Sequence, residues 1–290
     1  MLSLLASSTI TEANEKVSLQ LLWKHQFQFA GYYIAQAKGY FKEQGLDVDI
    51  REYNNQVDSI ASVLSGQSTF AIGRSSILID KTRGAEITAL MAAFQQSPLM
   101  LLTRASDGIS NAKALVNRRI MMTQDASSVA EVLAMLLKSG VTEGEFIRQP
   151  HSFNLDDLID GNTDAYGAYV SNEPFQMDKR GIPFQIIHPK DYGFDMYSDI
   201  LFTSSQYVKT KPVATAAFLK ASRKGWEYAF ANIEETAQLI FDKFNSQSKS
   251  IDALVFEGRA LKKLAYVEGT PFGSISIDRF HEMAQIYRVV

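Results

Sequence analysis

A strand–helix–strand unit over residues 17–51 constrains the fold of this chain most strongly. An apolar strand, Val17 to Leu22, precedes a helical stretch, Ala35 to Glu43, and a second strand, Leu46 to Arg51. Two strands joined through a helix form a βαβ unit, in which the strands run parallel. Strand-like and helix-like patterns continue to alternate as far as Thr203. The sequence therefore predicts an α/β fold with mainly parallel sheets flanked by helices.

Aromatic side chains are crowded where the first strand meets the first helix. They are Trp23, Phe27, Phe29, Tyr32 and Tyr33. Ligands of open α/β sheets bind at the carboxyl ends of strands, and aromatic rings offer large contact areas there. We expect about half of these side chains to be core, Phe29 first among them. Trp23 and Tyr33 are the preferred ligand contacts, with Phe27 and Tyr32 as further candidates.

The pattern of elements restarts after residues 107–113, which predicts two similar lobes. Residues 64–71 and 158–165 share one plan, in which a helix end, a Gly stop and a polar step precede a buried strand. We predict that lobe I comprises residues 16–105 and 206–290 and that lobe II comprises residues 106–205. Residues 1–15 are predicted to be a leader or flexible tail. Two lobes of this kind, facing each other, enclose a ligand cleft.

Polar residues begin a helix directly after a buried strand in each predicted lobe. Ser75 and Ser76 follow the strand 70–73, and Asn172 and Glu173 follow the strand 165–170. A carboxylate at a helix N-terminus is favoured by the helix dipole, which is the structural interpretation of Glu173. The functional interpretation is that Glu173 accepts a hydrogen bond from an amino-heterocycle. Both interpretations stay open.

Other polar and aromatic residues near the predicted strand ends complete the candidate site. Gln26 and Gln28 are either hydrogen-bonding partners of a heterocycle or simply exposed, and Asp199 is a weaker acidic candidate. The remaining candidate ligand contacts are Arg74, Asp125, Ser128, Tyr166 and Asp195. The chain has no cysteine, and none of its 4 histidines is spaced like a metal-ligand pair. Catalytic and phosphate-binding motifs are also lacking, so we expect no catalytic residue, metal or cofactor.

Composition narrows the choice of partners. The net charge of −3 and the absence of a basic stripe argue against nucleic acid. No run of about 20 apolar residues is present, so the sequence predicts no membrane span. The N-terminal apolar stretch, Met1 to Ala6, is short and lacks a preceding basic residue. It is either part of an export signal or a disordered tail.

Three segments carry a resemblance to a known family. They read WKHQFQFAGYYIAQAKGYFKEQGLDVDI from Trp23, SGQSTFAIGRSS from Ser65 and AYVSNEPF from Ala168. Together they resemble the thiamine-pyrimidine and sulfonate branch of the type II periplasmic solute-binding proteins. The resemblance implies two α/β lobes, two hinge crossovers and a ligand clamped between the lobes. Pyrimidine-binding members use an aromatic sandwich with acidic partners, and Trp23, Tyr33 and Glu173 stand at suitable positions.

The same resemblance implies a function. We expect binding of a small planar heterocycle, a thiamine pyrimidine precursor, by a periplasmic or otherwise extracytoplasmic receptor that serves the membrane permease of an ABC importer. One alternative is the ligand-sensing ectodomain of a membrane histidine kinase or diguanylate cyclase, attached to its own membrane-anchored signalling module. A second is an enzyme of pyrimidine metabolism. The enzymes of this family that use pyridoxal phosphate carry a cysteine-rich motif, which this chain lacks. We expect the isolated domain to be monomeric.

Overall fold

A computed structural model describes residues 14–54 and 56–290, so nearly all of the predicted leader lies outside the described residues. The first sheet has five strands. In spatial order they are β2 (Leu46–Arg51), β1 (Glu15–Gln20), β3 (Phe70–Gly73), β10 (Ser198–Ser204) and β4 (Ile87–Phe94). β10 pairs antiparallel with both of its neighbours, and the other four strands share one direction.

The second sheet repeats this plan with five strands. In spatial order they are β7 (Ile147–Pro150), β6 (Arg119–Met122), β8 (Ala165–Tyr169), β5 (Leu99–Arg104) and β9 (Phe184–Ile187). Here β5 is the strand that runs against the other four. Two mainly parallel sheets, each with one inserted antiparallel strand, confirm the predicted two-lobed α/β fold.

The chain crosses between the sheets earlier than the predicted boundaries at 105/106 and 205/206. β5 follows β4 directly in sequence but belongs to the second sheet, and β10 has already returned to the first. The crossovers are therefore residues 95–98 and 188–197, and we use lobe I and lobe II for the parts on either side of them. The predicted boundaries were late because two consecutive apolar strands give no sign that they belong to different sheets.

Helices cover both sheets. They are α1 (Ala30–Ala37), α2 (Tyr40–Glu43), α3 (Ser59–Leu64), α4 (Ile77–Thr82), α5 (Ala130–Lys138), α6 (Asp156–Ile159), α7 (Glu173–Lys179), α8 (Ser205–Thr210), α9 (Pro212–Ala231), α10 (Ile233–Lys243), α11 (Ile251–Ala265) and α12 (Ile277–Val289). The first helix begins at Ala30, earlier than predicted, and ends before Gly39, whose φ of +76° interrupts it. In the part of the chain that the structure describes, no helix is long and apolar enough to cross a membrane.

The close packing of α1 on α9 fixes the strand–helix–strand unit within lobe I. A Cβ added to Gly225 would lie 2.0 Å from the carbonyl oxygen of Gly31, and one added to Gly31 would lie 2.2 Å from the Trp226 ring. Glycine at both positions lets the helix axes approach. Phe218 on α9 stacks on Phe70 of β3, with ring centroids 3.9 Å apart. The strand ends that open onto the cleft are thereby supported by a rigid core.

Candidate functional site

A cleft with a volume of about 590 Å³ lies between the two lobes. The carboxyl ends of β1, β3, β6 and β8 supply much of its lining, as expected for ligand sites in α/β sheets. Its size lies within the range of sites that enclose a small molecule. Of the predicted contacts, the cleft is lined by Trp23, Gln26, Arg74, Ser128, Tyr166, Asn172 and Glu173.

One side of the cleft is a continuous row of rings, which we call the aromatic wall. It consists of Tyr53, Trp23, Phe153, His151 and Tyr166, in spatial order. Trp23 stacks on Tyr53 at 5.3 Å between ring centroids and lies 5.3 Å from Phe153. His151 stacks on Phe153 at 4.4 Å and meets Tyr166 edge-on at 4.5 Å. The wall begins in lobe I and ends in lobe II, so both lobes can contribute to stacking on a planar ligand.

Phe153 is held in the wall in an unusual backbone conformation. Its φ is +57° and its side chain is 62% exposed, a combination that neither backbone preference nor burial favours. Its N–H donates to His151 Nδ1 at 2.9 Å, while His151 Nε2 lies 2.6 Å from the carbonyl oxygen of Gly167. Burial lowers the pKa of His151, which favours the neutral ring with its proton on Nε2. The local structure thus presents Phe153 to the cleft at the cost of backbone strain.

A chain of side-chain amides runs along the floor of the cleft to a buried acid. Gln247 Nε2 donates to Gln26 Oε1 at 3.2 Å, and Gln26 Nε2 donates to Gln28 Oε1. Gln28 Nε2 then donates to Asp199 Oδ1 at 2.8 Å, and Ser198 donates to Asp199 Oδ2 at 2.9 Å. Because the acid accepts at the end of the chain, the orientation of each amide is set. The donors and acceptors that Gln26 and Gln28 turn to the cleft are therefore fixed.

Asp199 is the most strongly perturbed acid of the cleft region. It is almost fully buried, and burial raises its pKa to about 7. Its own φ of +52° is rare for a residue other than glycine. A buried carboxyl whose pKa is strongly raised beside a cleft is a candidate functional residue. Asp199 ranked below Glu173 in the sequence analysis because the sequence does not show that Asp199 is buried.

Glu173 is the first residue of α7 and lines the cleft. Its carboxylate accepts from the Tyr169 N–H at 2.8 Å and from Asn172 Nδ2 at 2.6 Å. Burial raises its pKa. The local bonds give Glu173 a structural role, and its place in the lining leaves lone pairs for a ligand. The two interpretations of Glu173 are thus compatible.

Lys249, in the loop between α10 and α11, forms a buried ion pair within lobe I and a hydrogen bond to lobe II. Lys249 Nζ lies 3.1 Å from Glu257 Oε2 and donates to Asn172 Oδ1 of lobe II at 3.0 Å. The other oxygen of Glu257 accepts from the Gln28 N–H at 3.0 Å. Sequence reasoning missed this loop, and its only signal was a polar run, residues 245–250, between two helices.

Three predicted ligand contacts are packed in the lobe I core and do not line the cleft. Phe27, Tyr32 and Tyr33 are each at most 1% exposed. Tyr33 stacks on Phe244 at 4.2 Å, and its hydroxyl lies 2.8 Å from His25 Nδ1. The early start of α1 explains this placement, because it puts both tyrosines in the first turn of a helix that faces the interior. Trp23 alone of the crowded aromatics reaches the cleft.

Four predicted polar contacts lie outside the cleft lining. Ser75 borders a small neighbouring recess, and Ser76 precedes α4 without a side-chain capping bond. Asp125 caps the 3₁₀ turn before α5 by accepting from the Ser127 N–H, and Asp195 pairs with Arg279 at 3.1 Å at the second crossover. Within residues 14–54 and 56–290, no three acidic or histidine side chains converge in a way that would hold a metal ion.

Comparison with known proteins agrees with this geometry. The model of the family described as NMT1/THI5 like matches residues 26–236, most of the chain. The chain belongs to the NMT1/THI5-like family. It is 25% identical over 234 residues to a formylaminopyrimidine-binding protein of Halalkalibacterium halodurans, covering 79% of this chain and 71% of that one. It is 23% identical over 231 residues to the riboflavin-binding protein RibY of Chloroflexus aurantiacus, covering 78% of this chain and 65% of that protein.

Further relatives are enzymes by name, and solved structures share the fold. A 4-amino-5-hydroxymethyl-2-methylpyrimidine phosphate synthase of Saccharomyces cerevisiae is 22% identical over 234 residues, covering 76% of this chain and 68% of the enzyme. The periplasmic aliphatic sulphonate binding protein SsuA from Escherichia coli superposes with a TM-score of 0.71 at 11% identity, covering 95% of this chain and 85% of that one. The structural likeness shows the periplasmic-binding-protein fold.

Proposed function

We propose that this protein is an extracytoplasmic solute receptor that binds a planar amino-heterocycle, such as a thiamine pyrimidine precursor, in the cleft between its lobes. The observation that carries the proposal is the aromatic wall, which runs from Trp23 in lobe I to Tyr166 in lobe II beside the Glu173 carboxylate. Two relatives are named for binding planar nitrogen heterocycles, formylaminopyrimidine and riboflavin, which fits a stacking surface.

In this account the ligand ring stacks on the aromatic wall, and its exocyclic amine donates to Glu173. A raised pKa of Glu173 makes its proton state sensitive to the ligand, so a basic ring nitrogen would gain a charge-assisted hydrogen bond. Gln26 adds an amide of fixed orientation. Contacts from both lobes make ligand affinity depend on lobe closure.

A receptor for an ABC importer is favoured over the other two functions. The relatives with the higher identities are named as binding proteins, and the SsuA likeness concerns a periplasmic receptor. A sensor ectodomain would use the same cleft and would differ in being joined to a signalling module. The synthase relatives keep an enzyme of pyrimidine metabolism as the second alternative. If the protein is a receptor, the bound ligand is released chemically unchanged. Its protein partner is then a membrane permease.

Thermal unfolding with a ligand panel tests the proposal. The panel comprises 4-amino-5-hydroxymethyl-2-methylpyrimidine, formylaminopyrimidine and riboflavin at concentrations up to about 1 mM, since a ligand that binds only the native state raises the unfolding temperature. At least one compound should raise it, and mass spectrometry should recover that compound unchanged after incubation. No shift with any compound would refute the ligand class. Conversion of the compound would instead support the enzyme.

A further inference from the structure

Arg74 lies at the carboxyl end of β3, where the cleft meets a small polar recess. Arg74 lines both spaces. Its Nε donates to the Tyr169 hydroxyl of lobe II at 3.3 Å. Among residues 14–54 and 56–290, neither terminal nitrogen of Arg74 has a hydrogen-bond partner, and no carboxylate lies within 4.0 Å of the group. A half-buried guanidinium of this kind is ready to pair with a ligand anion.

The other cation of the cleft is already paired. Lys249 forms the buried ion pair with Glu257 and also donates to Asn172. The acids nearest to Arg74 are likewise engaged, because Asp199 accepts from Gln28 and Glu131, which lines the recess, accepts from Ser97. Arg74 therefore differs from the rest of the cleft's charged groups in having donors that no described residue uses.

Ser75 has an available hydroxyl hydrogen in the recess beside Arg74. Its side chain is buried in the recess, where its hydroxyl accepts from the Tyr287 hydroxyl at 2.8 Å. Accepting that bond leaves the Ser75 hydrogen available. The three other serines of the recess, Ser97, Ser128 and Ser198, donate to Glu131, Asp125 and Asp199. An oxyanion in the cleft would thus meet the guanidinium of Arg74, while the Ser75 hydroxyl lies in the neighbouring recess.

On the basis of the proposed function, we propose that the ligand of this protein carries an oxyanion, a carboxylate or a phosphate ester, which Arg74 binds while the ring stacks on the aromatic wall. A cleft of about 590 Å³ has room for a ring together with a substituent of this size. Ring and anion then occupy separate parts of one cleft. Arg74 sets which members of the heterocycle class are bound.

Calorimetric titration with two matched pairs of compounds tests this proposal. One pair is uracil and orotate, which differ by a carboxylate, and the other is 4-amino-5-hydroxymethyl-2-methylpyrimidine and its phosphate ester. The wild-type protein should bind the anionic member of at least one pair about tenfold more tightly or better, as expected for a hydrogen-bonded charge pair. The pair that shows the preference identifies the anion.

Arg74→Gln should weaken binding of the anionic member about tenfold more than binding of the neutral member, so that the preference is lost. Arg74→Lys, which keeps the charge without the planar fork, should retain part of it. Equal wild-type affinity within both pairs, or a preference that survives Arg74→Gln, would overturn the anion site and leave the proposed function standing. Binding of none of the four compounds would overturn the anion site, whereas the thermal-unfolding panel decides the proposed function. If Arg74→Gln fails to fold, the wild-type affinity ratio and Arg74→Lys still decide the question.

Discussion

The ring centroids of Trp23 and Phe153 lie 5.3 Å apart, although the two residues belong to different lobes. Their contact joins the halves of the aromatic wall. Three polar contacts bridge the lobes as well, between Arg74 and Tyr169, Lys249 and Asn172, and Lys179 and Asp252. The structure is therefore a state in which the lobes already touch across the cleft, and ligand affinity should depend on residues of both lobes.

Removing the Phe153 ring should weaken ligand binding without weakening the fold. Phe153→Ala is expected to reduce affinity for the heterocycle about fivefold or more, since stacking partners contribute roughly 1 kcal/mol. Phe153→Gly should lose the same affinity but gain stability relative to Phe153→Ala, because glycine accepts a φ of +57° without strain. Calorimetry and urea unfolding measure the two effects. Phe241→Ala, an exposed ring outside the cleft lining, is the matched control and should change neither.

Glu173→Gln should weaken binding of a ligand with an exocyclic amine about tenfold, because the charge of the acceptor is lost. Gln keeps an oxygen for the Tyr169 N–H but loses the acceptor for Asn172 Nδ2, so the unfolding free energy should fall by about 1 kcal/mol. A purely structural Glu173 would show the same loss of stability with unchanged affinity. Calorimetric titration and urea unfolding of the same samples distinguish the two.

Asp199→Asn should alter the pH dependence of stability. Burial raises the pKa of Asp199 to about 7 in the folded protein, whereas an unfolded Asp titrates near pH ~4. Between these values the folded state binds the extra proton, so the Asp199 contribution lowers stability as pH rises and is constant above about pH 7. As pH rises from 5 to 8, the unfolding free energy of the variant should increase by on the order of 2 kcal/mol relative to that of the wild type.

Urea unfolding at both pH values checks the Asp199 prediction. Burial also raises the pKa of Glu131, Glu173 and Asp195, but these acids are present in both proteins and cancel in the comparison. A difference between variant and wild type that is independent of pH would contradict the raised pKa of Asp199.

Gly225→Ala should destabilise lobe I by about 2 kcal/mol or more. The added Cβ would lie 2.0 Å from the carbonyl oxygen of Gly31, which forces α1 and α9 apart. Alanine's better helix propensity offsets only about 1 kcal/mol of that cost. Lys220→Ala, on the exposed face of α9, should change the unfolding free energy by less than about 0.5 kcal/mol. Equal stability of the two variants in urea unfolding would show that the helices can separate freely.

The sequence predicted the architecture well because each element carries its own pattern. The strands 46–51, 70–73 and 165–170 were placed to within a residue, and the alternation of strands and helices was confirmed as far as the strand Ser198–Ser204. Crossover positions were predicted late, since strand order within a sheet depends on contacts distant in sequence. Local pattern shows where a strand is but not which sheet it joins.

The candidate site was predicted only in part, for the same reason. Trp23, Arg74 and Glu173 follow strands and could be named from sequence, and they line the cleft. His151 and Phe153 come from a loop whose backbone conformation has no sequence signal. The crowded aromatic residues can be assigned to the core or to the cleft only when the first residue of α1 is known. The sequence predicted that helix to begin too late, and Tyr33 was therefore wrongly predicted to contact the ligand.

Intrinsic fluorescence tests the central claim most directly, because the chain has two tryptophans, Trp23 in the cleft and Trp226 buried in the core. Titration with 4-amino-5-hydroxymethyl-2-methylpyrimidine should give a saturable change that Trp226→Phe retains and Trp23→Phe abolishes. No saturable change up to about 1 mM, or a change that survives Trp23→Phe, would contradict a ligand stacked on the aromatic wall.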